Sequence, residues 1–456
     1  MSTPEIRGLR DYLGPASKGR SISDAKQEWP LSAHSQLACI GGASQELSGR
    51  SVLLAVSGQL LSGLAMIEVD GVAQRMLLLP PNVNTDHVGT LIGEAEIDAV
   101  VTDQPEIWEA AGFNVIPVQF PQTTASRPVT ECATQWLMLT SGTSGVPKIV
   151  RHTLDGLSGA IRADDGSHGA SAIWSTFYDI RRYGGLQIFL RAVIGGGSMV
   201  LSEPGESLAD CIIRLVARGV THVSGTPSHW RKLLMSGHIS QFSPRYVRLS
   251  GEIADQAVLD GLALAFPTAS IGHAYASTEA GVGFAVNDGR EGFPASLIGQ
   301  DLNGVEMKVV DGSLYIRSKR TAEAYVGKNV ATLVDSDGFV DTGDMVELRG
   351  DRYHFVGRRG GIINIGGLKV HPEEIEAVVN RHPAVQMSRA RSRRSPITGS
   401  IVVADIILAA NGRREKEIRD EILRDCRESL ASYKVPAVIN FVETLDVTPA
   451  GKLARI

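Results

Sequence analysis

The densest set of groups able to handle a charged ligand is Thr140-Ser141-Gly142-Thr143-Ser144-Gly145-Val146-Pro147-Lys148. Its hydroxyls donate hydrogen bonds to phosphate oxygens. Gly142 and Gly145 let successive backbone N–H groups curl into a concave nest for an anion, and Lys148 adds a positive charge. The chemistry this points to is phosphate binding. The spacing is not that of the nucleotide P-loop, because Val146-Pro147 separate Gly145 from Lys148. A flexible Ser/Gly linker has a similar composition. Linkers, however, are seldom butted against an apolar strand such as Trp136–Leu139 and closed by Pro-Lys.

The loop resembles the phosphate loop of the adenylate-forming (AMP-binding) superfamily, which holds acyl- and aryl-CoA ligases, amino-acid adenylation domains and luciferases. Four further segments resemble that family's signatures, in the family's order. They are Tyr275-Ala276-Ser277-Thr278-Glu279, Asp341-Thr342-Gly343-Asp344, Gly357-Arg358 and Thr448-Pro449-Ala450-Gly451-Lys452. The resemblance implies an AMP-forming acid–thiol ligase of the acyl-CoA synthetase type. ATP and Mg2+ would activate a small-molecule carboxylic acid as an acyl-adenylate, and a thiol would then take the acyl group. Coenzyme A is the implied thiol. The alternative is an enzyme that adenylates an acid or amino acid and loads the phosphopantetheine arm of a separate acyl carrier protein.

The residue types suit the roles the resemblance implies. Tyr275 offers an aromatic face to adenine, and the backbone of Gly251-Glu252-Ile253 resembles the strand that reads the ring edge. Thr278 donates to the α-phosphate, and Glu279 is a hard carboxylate suited to Mg2+. Asp344, an acceptor only when ionised, takes both ribose hydroxyls, with Arg358 donating nearby. Alone, a Thr-Gly-Asp is usually a turn and an Arg after Gly a surface residue; the joint order carries the reading. Lys452 lies close to the chain end, where a frayed tail is the default. The resemblance instead implies that it swings in to bridge the substrate carboxylate and the α-phosphate as negative charge accumulates there. Rotation of the C-terminal domain would then exchange that lysine loop for one near Gly366 and Gly367, lining the thiol's tunnel. Gly360-Gly361 stands where the family usually has an acidic or lysine hinge residue, and Asn364 where it often has lysine.

For the acid, family position points to Tyr178, Tyr183, Gly225, Trp230, Ala274 and Gly281. Phe177 and Phe284 are further apolar walls, and Arg181 and Arg182 are partners for a polar group or for CoA phosphates. Core packing competes with pocket lining at each. Tyr178-Asp179 faintly resembles the Phe-Asp pair that holds an α-ammonium in amino-acid adenylation domains, but Ile180-Arg181-Arg182 does not continue that pattern.

These groups need a scaffold. At roughly 100–200 residues per domain, 456 residues suggest two to four domains. Strand-like runs alternate with helix-like ones: Ser51–Val56, Gly58–Ile67, Met76–Leu79, Ala99–Thr102, Val115–Val118, Trp136–Leu139, Ser198–Ser202, Leu208–Ala217 and Thr221–Ser224. That alternation predicts an α/β protein whose large N-terminal domain has mainly parallel sheets covered by helices. Glu306–Val310 and Leu314–Arg317 read as a small antiparallel region. Pro372 opens a helix, and Ile418, Ile422, Cys426 and Leu430 form the apolar stripe of another. The expected division is 1–357 for ATP and acid binding and 358–456 as a small mobile α+β lid carrying Lys452, hinged within Gly357–Asn364. Arg389, Arg391, Arg393 and Arg394 read as a solvated loop.

Composition narrows the field further. The formal charge of −5 offers no general attraction to nucleic acid or anionic membrane. The four cysteines form no CxxC pair, against a disulfide framework or structural zinc. No secretory signal or 20-residue apolar span is evident, so a cytoplasmic protein without membrane insertion is expected.

Overall fold

The computed structural model describes all residues except 1–6, 14–16, 36, 41–42, 124–129, 141–145, 162–171, 204, 329, 366–367, 396–398, 410–412, 447–452 and 455–456. Two large sheets dominate it. In a seven-stranded sheet, Gln135–Thr140, Arg75–Leu78, Ser51–Ala55, Ala99–Thr102 and Asn114–Pro117 run parallel. Lys148–His152 and Ala324–Val326 add antiparallel at one edge. The central strands are continuous apolar runs because both faces of a parallel sheet are covered.

The second sheet has eight strands. Ser21–Ser23, Ser198–Val200, Ile173–Thr176, His222–Gly225, Tyr246–Ser250 and Ser270–Ser277 are parallel. Helices Gln59–Val69 and Tyr183–Ile194 share one core with strands of both sheets. Ten of the 11 residues of the first helix are buried, which is why it is apolar nearly all round.

A five-stranded antiparallel sheet contains Val305–Val310, Ser313–Ser318, Val340–Arg349 and Arg352–Arg358. The C-terminal region builds a core of its own. Ile375 and Val379 of helix Pro372–Val379 and Ile418, Ile422 and Cys426 of helix Glu415–Ser429 pack on Val402, Ala404 and Ile406. The mixed α/β fold read from the sequence, a large domain of parallel sheets and a small C-terminal one, is the one observed.

The arginine run differs from expectation. It lies in the 11-residue strand Val385–Ser395, paired with Gly399–Leu408. Asp405 on the partner strand, 4% exposed, supplies the reason. It accepts hydrogen bonds from Arg391 Nε at 2.7 Å, Arg389 Nη2 at 3.3 Å and Asn440 Nδ2 at 2.8 Å. Charge that reads as solvation is here internal pairing; only Arg393 and Arg394 of the run are exposed.

Candidate active site

In a doubly wound sheet the carboxyl ends of the parallel strands open into a crevice. Here both large sheets send such ends towards one cavity of about 1930 Å³. Its lining includes Thr140, Gly251, Glu252, Ile253, Ala274, Tyr275, Thr278, Glu279, Asp344 and Arg358. Residues more than 200 positions apart in the chain therefore meet at one site.

Thr140 closes strand Gln135–Thr140 and is buried. Ser141, Gly142, Thr143, Ser144 and Gly145 lie outside the described residues. Lys148 is exposed and does not line the cavity. Its Nζ sits 5.0 Å from the centre of the Tyr325 ring, a cation–π contact.

Thr278 and Glu279 occupy the turn between Ser270–Ser277 and Gly281–Val286. Ala280 N donates to Ser277 Oγ at 2.9 Å, and Ala322 N donates to the Glu279 carbonyl at 2.9 Å, holding the turn from both sides. His152, which carried no sequence signal, completes it. Its Nε2 lies 2.8 Å from the Thr278 carbonyl. A carbonyl only accepts, so Nε2 carries the proton and donates. Burial pushes the His152 pKa down to about 4, against the opposing effect of that carbonyl, so the ring is neutral at physiological pH. The Tyr325 hydroxyl is pushed up to about 12, first by burial and then by the Glu279 carboxylate beside it. Mg2+ characteristically takes one or two carboxylates and completes its shell with phosphate oxygens and water, a donor set that Glu279 on the cavity wall fits.

Asp344 is placed by the antiparallel register that sets it opposite Arg358. Its Oδ1 accepts from Arg358 Nε at 2.7 Å and its Oδ2 from the Tyr275 hydroxyl at 2.6 Å, while its own N–H donates to Thr342 Oγ1 at 3.1 Å. Each carboxylate oxygen has two lone pairs, so one remains on each for a hydroxyl of a bound sugar. The Tyr275 ring runs nearly parallel to two others, with centroids 5.3 Å from Phe355 and 5.7 Å from Phe284. The aromatic wall expected of Tyr275 alone is thus a three-ring stack, and Phe284 and Phe355 also line the cavity.

Of the residues expected to meet the acid, Tyr178, Arg182, Tyr183 and Ala274 line the cavity. The Tyr178 hydroxyl donates to the Ser250 carbonyl at 2.7 Å, which fixes the ring. Arg182 is half-buried. Its Nη2 reaches the Pro81 carbonyl at 3.5 Å, while Nε is buried with no partner among the described residues. Burial lowers its pKa, so a ligand acceptor would relieve an unmet demand there.

Three pocket expectations are corrected. Trp230 is fully buried in the core beneath the second sheet, its Nε1 donating to the Arg248 carbonyl at 3.2 Å. Gly225 belongs to the same packing, since a Cβ there would meet the Phe177 ring at 2.7 Å. Gly281 turns the chain at φ +76°, where a side chain would run into the Arg320 carbonyl. None of the three lines the cavity. Phe177 likewise packs on His229 and Trp230, and Arg181, 2% exposed, is spent on Asp179 at 2.6 Å and on the Val56 and Ser57 carbonyls. Asp179 is therefore paired already, which removes the likeness to an ammonium-binding aspartate. Gly366, Gly367 and Lys452 lie outside the described residues.

Comparison with known proteins assigns the class. The model of the AMP-binding enzymes matches residues 66–327, and that of the AMP-binding enzyme C-terminal domain matches 374–452. The chain belongs to the AMP-binding, adenylate-forming enzymes. Among its relatives is the 2-succinylbenzoate–CoA ligase of Bacillus licheniformis, 26% identical over 414 residues, covering 84% of this chain and 83% of that one. The ligase of the same name from Listeria monocytogenes is 28% identical over 380 residues, covering 81% and 75%. The crystal structure of the anthranilate CoA ligase AuaEII with anthranoyl-AMP superposes with a TM-score of 0.79 at 19% identity, covering 99% and 96%, a likeness of fold.

Proposed function

We propose that this enzyme is an AMP-forming acid–thiol ligase. It joins a carboxylic acid to the α-phosphate of ATP with release of pyrophosphate, then passes the acyl group to the thiol of coenzyme A with release of AMP. The observation that carries the reading is the convergence of Thr140, Thr278, Glu279 and Asp344 on one cavity. The two CoA ligases whose sequences align along three quarters or more of this chain support the thiol.

In this reading Asp344 and Arg358 hold the ribose, the Tyr275–Phe355 wall meets adenine, and Thr278 donates to the α-phosphate. Mg2+ supplies charge neutralisation on the phosphates, with Glu279 as its protein ligand. Arg182 orients the acid from the opposite end. Catalysis is then mainly positioning and electrostatic stabilisation, with no covalent enzyme intermediate. The division at residue 357, with 358–456 as a lid that presents Lys452 for adenylation and Gly366-Gly367 for the thiol, is part of the proposal. So is a cytoplasmic location, supported by four unpaired cysteine thiols. No described helix is long and apolar enough to cross a membrane.

The test is thioester formation, detected by mass, over a panel of acids including 2-succinylbenzoate, anthranilate and nicotinate. The reading predicts an acyl-CoA with at least one acid, and a Lys452→Ala rate of adenylation lower by about 10²–10³, as loss of one electrostatic donor typically gives. Transfer to a phosphopantetheinylated carrier but never to CoA would move the function to carrier loading. No pyrophosphate release with any acid would reject the ligase.

A further inference from the structure

We propose that Glu252 is a positioning residue for adenylation, tying the chain segment that follows Lys452 to the wall of the cavity. The proposal rests on the ligase reading above.

The Glu252 carboxylate is divided between two distant backbone groups. Its Oε2 accepts from Ser228 N at 2.9 Å, and its Oε1 from Leu453 N at 3.0 Å, 201 residues further along the chain. The first contact explains why the carboxylate is there. Ser228 is the second residue of helix Pro227–Met235, whose leading N–H groups have no partner within the helix. Thr226 caps the helix by accepting from His229 N at 3.1 Å, and Pro227 has no N–H to offer, which leaves Ser228 N for Glu252. The partial positive charge of a helix N-terminus favours a carboxylate at this point. Glu252 is therefore fixed from the large domain, with its other oxygen presented to the C-terminal segment.

The second contact gives the first its use. Of the described residues of that segment, Ala454 is held within the C-terminal region: its N donates to the Asp446 carbonyl at 2.9 Å, and Arg389 Nη1 donates to its carbonyl at 3.4 Å. Glu252 joins Leu453 to the opposite wall. Consecutive Cα atoms lie about 3.8 Å apart, so seating the Leu453 N–H restricts where the preceding residue can begin. That preceding residue is Lys452. Both partners are main-chain N–H groups, so the tie depends on the side chain at 252 and on none at 228 or 453. Gly251-Glu252-Ile253, expected to read the adenine edge through its backbone, thus carries a second task through one side chain.

The two half-reactions separate this role from a merely structural one. Full-length wild type, Glu252→Ala and Glu252→Gln are compared in acid-dependent exchange of labelled pyrophosphate into ATP, using the panel acid that the wild type activates best. Thioester formation is measured in parallel from the preformed acyl-adenylate and CoA. The expected result is exchange lowered about 10–100-fold in Glu252→Ala, the loss of one or two charged hydrogen bonds. Glu252→Gln, which keeps one acceptor oxygen, falls between, and thioester formation falls at least fivefold less than exchange does. Exchange within twofold of wild type, or equal loss in both half-reactions, overturns the proposal. No wild-type exchange with any acid removes the ligase reading, and this inference with it.

A second readout needs no turnover. The Lys452–Leu453 bond is a trypsin site, and its cleavage releases the last four residues, seen by intact mass. The tie predicts cleavage there at least fivefold faster in Glu252→Ala, with sites before Lys452 unchanged. An unchanged rate contradicts it.

Discussion

At the residue scale, the site works through groups whose protonation is settled by burial. His152 is the clearest case, held neutral while its Nε2–H supports the Thr278 carbonyl. A histidine whose folded pKa is about 4 against 6.5 unfolded binds fewer protons in the native state between those values. Stability from this group is therefore complete above pH 6.5 and falls as the pH drops towards 4. Between pH 8 and pH 5 it accounts for about 2 kcal/mol. Denaturant unfolding at the two pH values should show that loss in the wild type and a loss smaller by about that amount in His152→Gln; equal losses would contradict it. Nothing near His152 in the chain announces this role, because its partner is 126 residues away. Thr278, Glu279 and Asp344 were legible as positions on the cavity wall for the opposite reason: each sits in a short run that carries the resemblance locally. Glu252 was legible as a position, but its side-chain partners are 24 and 201 residues distant.

Among the elements, the strand Val385–Ser395 shows where local patterning misleads. Four arginines in six residues read as solvated, yet the partner strand places Asp405 between two of them. Burial works to raise the Asp405 pKa, but Arg391, Asn440 and Arg389 prevail and hold it below the ordinary carboxylate value. Removing the carboxylate takes the acceptor from Arg389 and Asn440, which are largely buried, while Arg391 is exposed enough to turn to water. Asp405→Ala is therefore expected to cost about 1–3 kcal/mol, read as a lowered denaturation midpoint. A cost under ~1 kcal/mol, the usual value of an exposed pair, would show that Arg389 and Arg391 are effectively in water. The parallel strands were easier to read, since burial on both faces leaves the uninterrupted apolar runs of Ser51–Ala55 and Ala99–Thr102. Pocket walls were harder. Trp230 and Gly225 lie next to cavity-lining Pro227 and Ser228 in sequence, but on the side facing the core.

For the whole molecule, two parallel sheets, an antiparallel sheet and the C-terminal region each contribute one wall, and no single element contains the site. The order of motifs along the chain carried the family and the fold; which side chains finally touch was set by packing between distant segments. A crystal structure of the enzyme with ATP and Mg2+ tests this arrangement most directly. The expected density has the ribose hydroxyls on Asp344, adenine beside Tyr275 and Phe355, the metal on Glu279, and the phosphates running towards Thr140. Nucleotide bound away from this cavity, or lying in it with Asp344 and Glu279 untouched, would contradict the account.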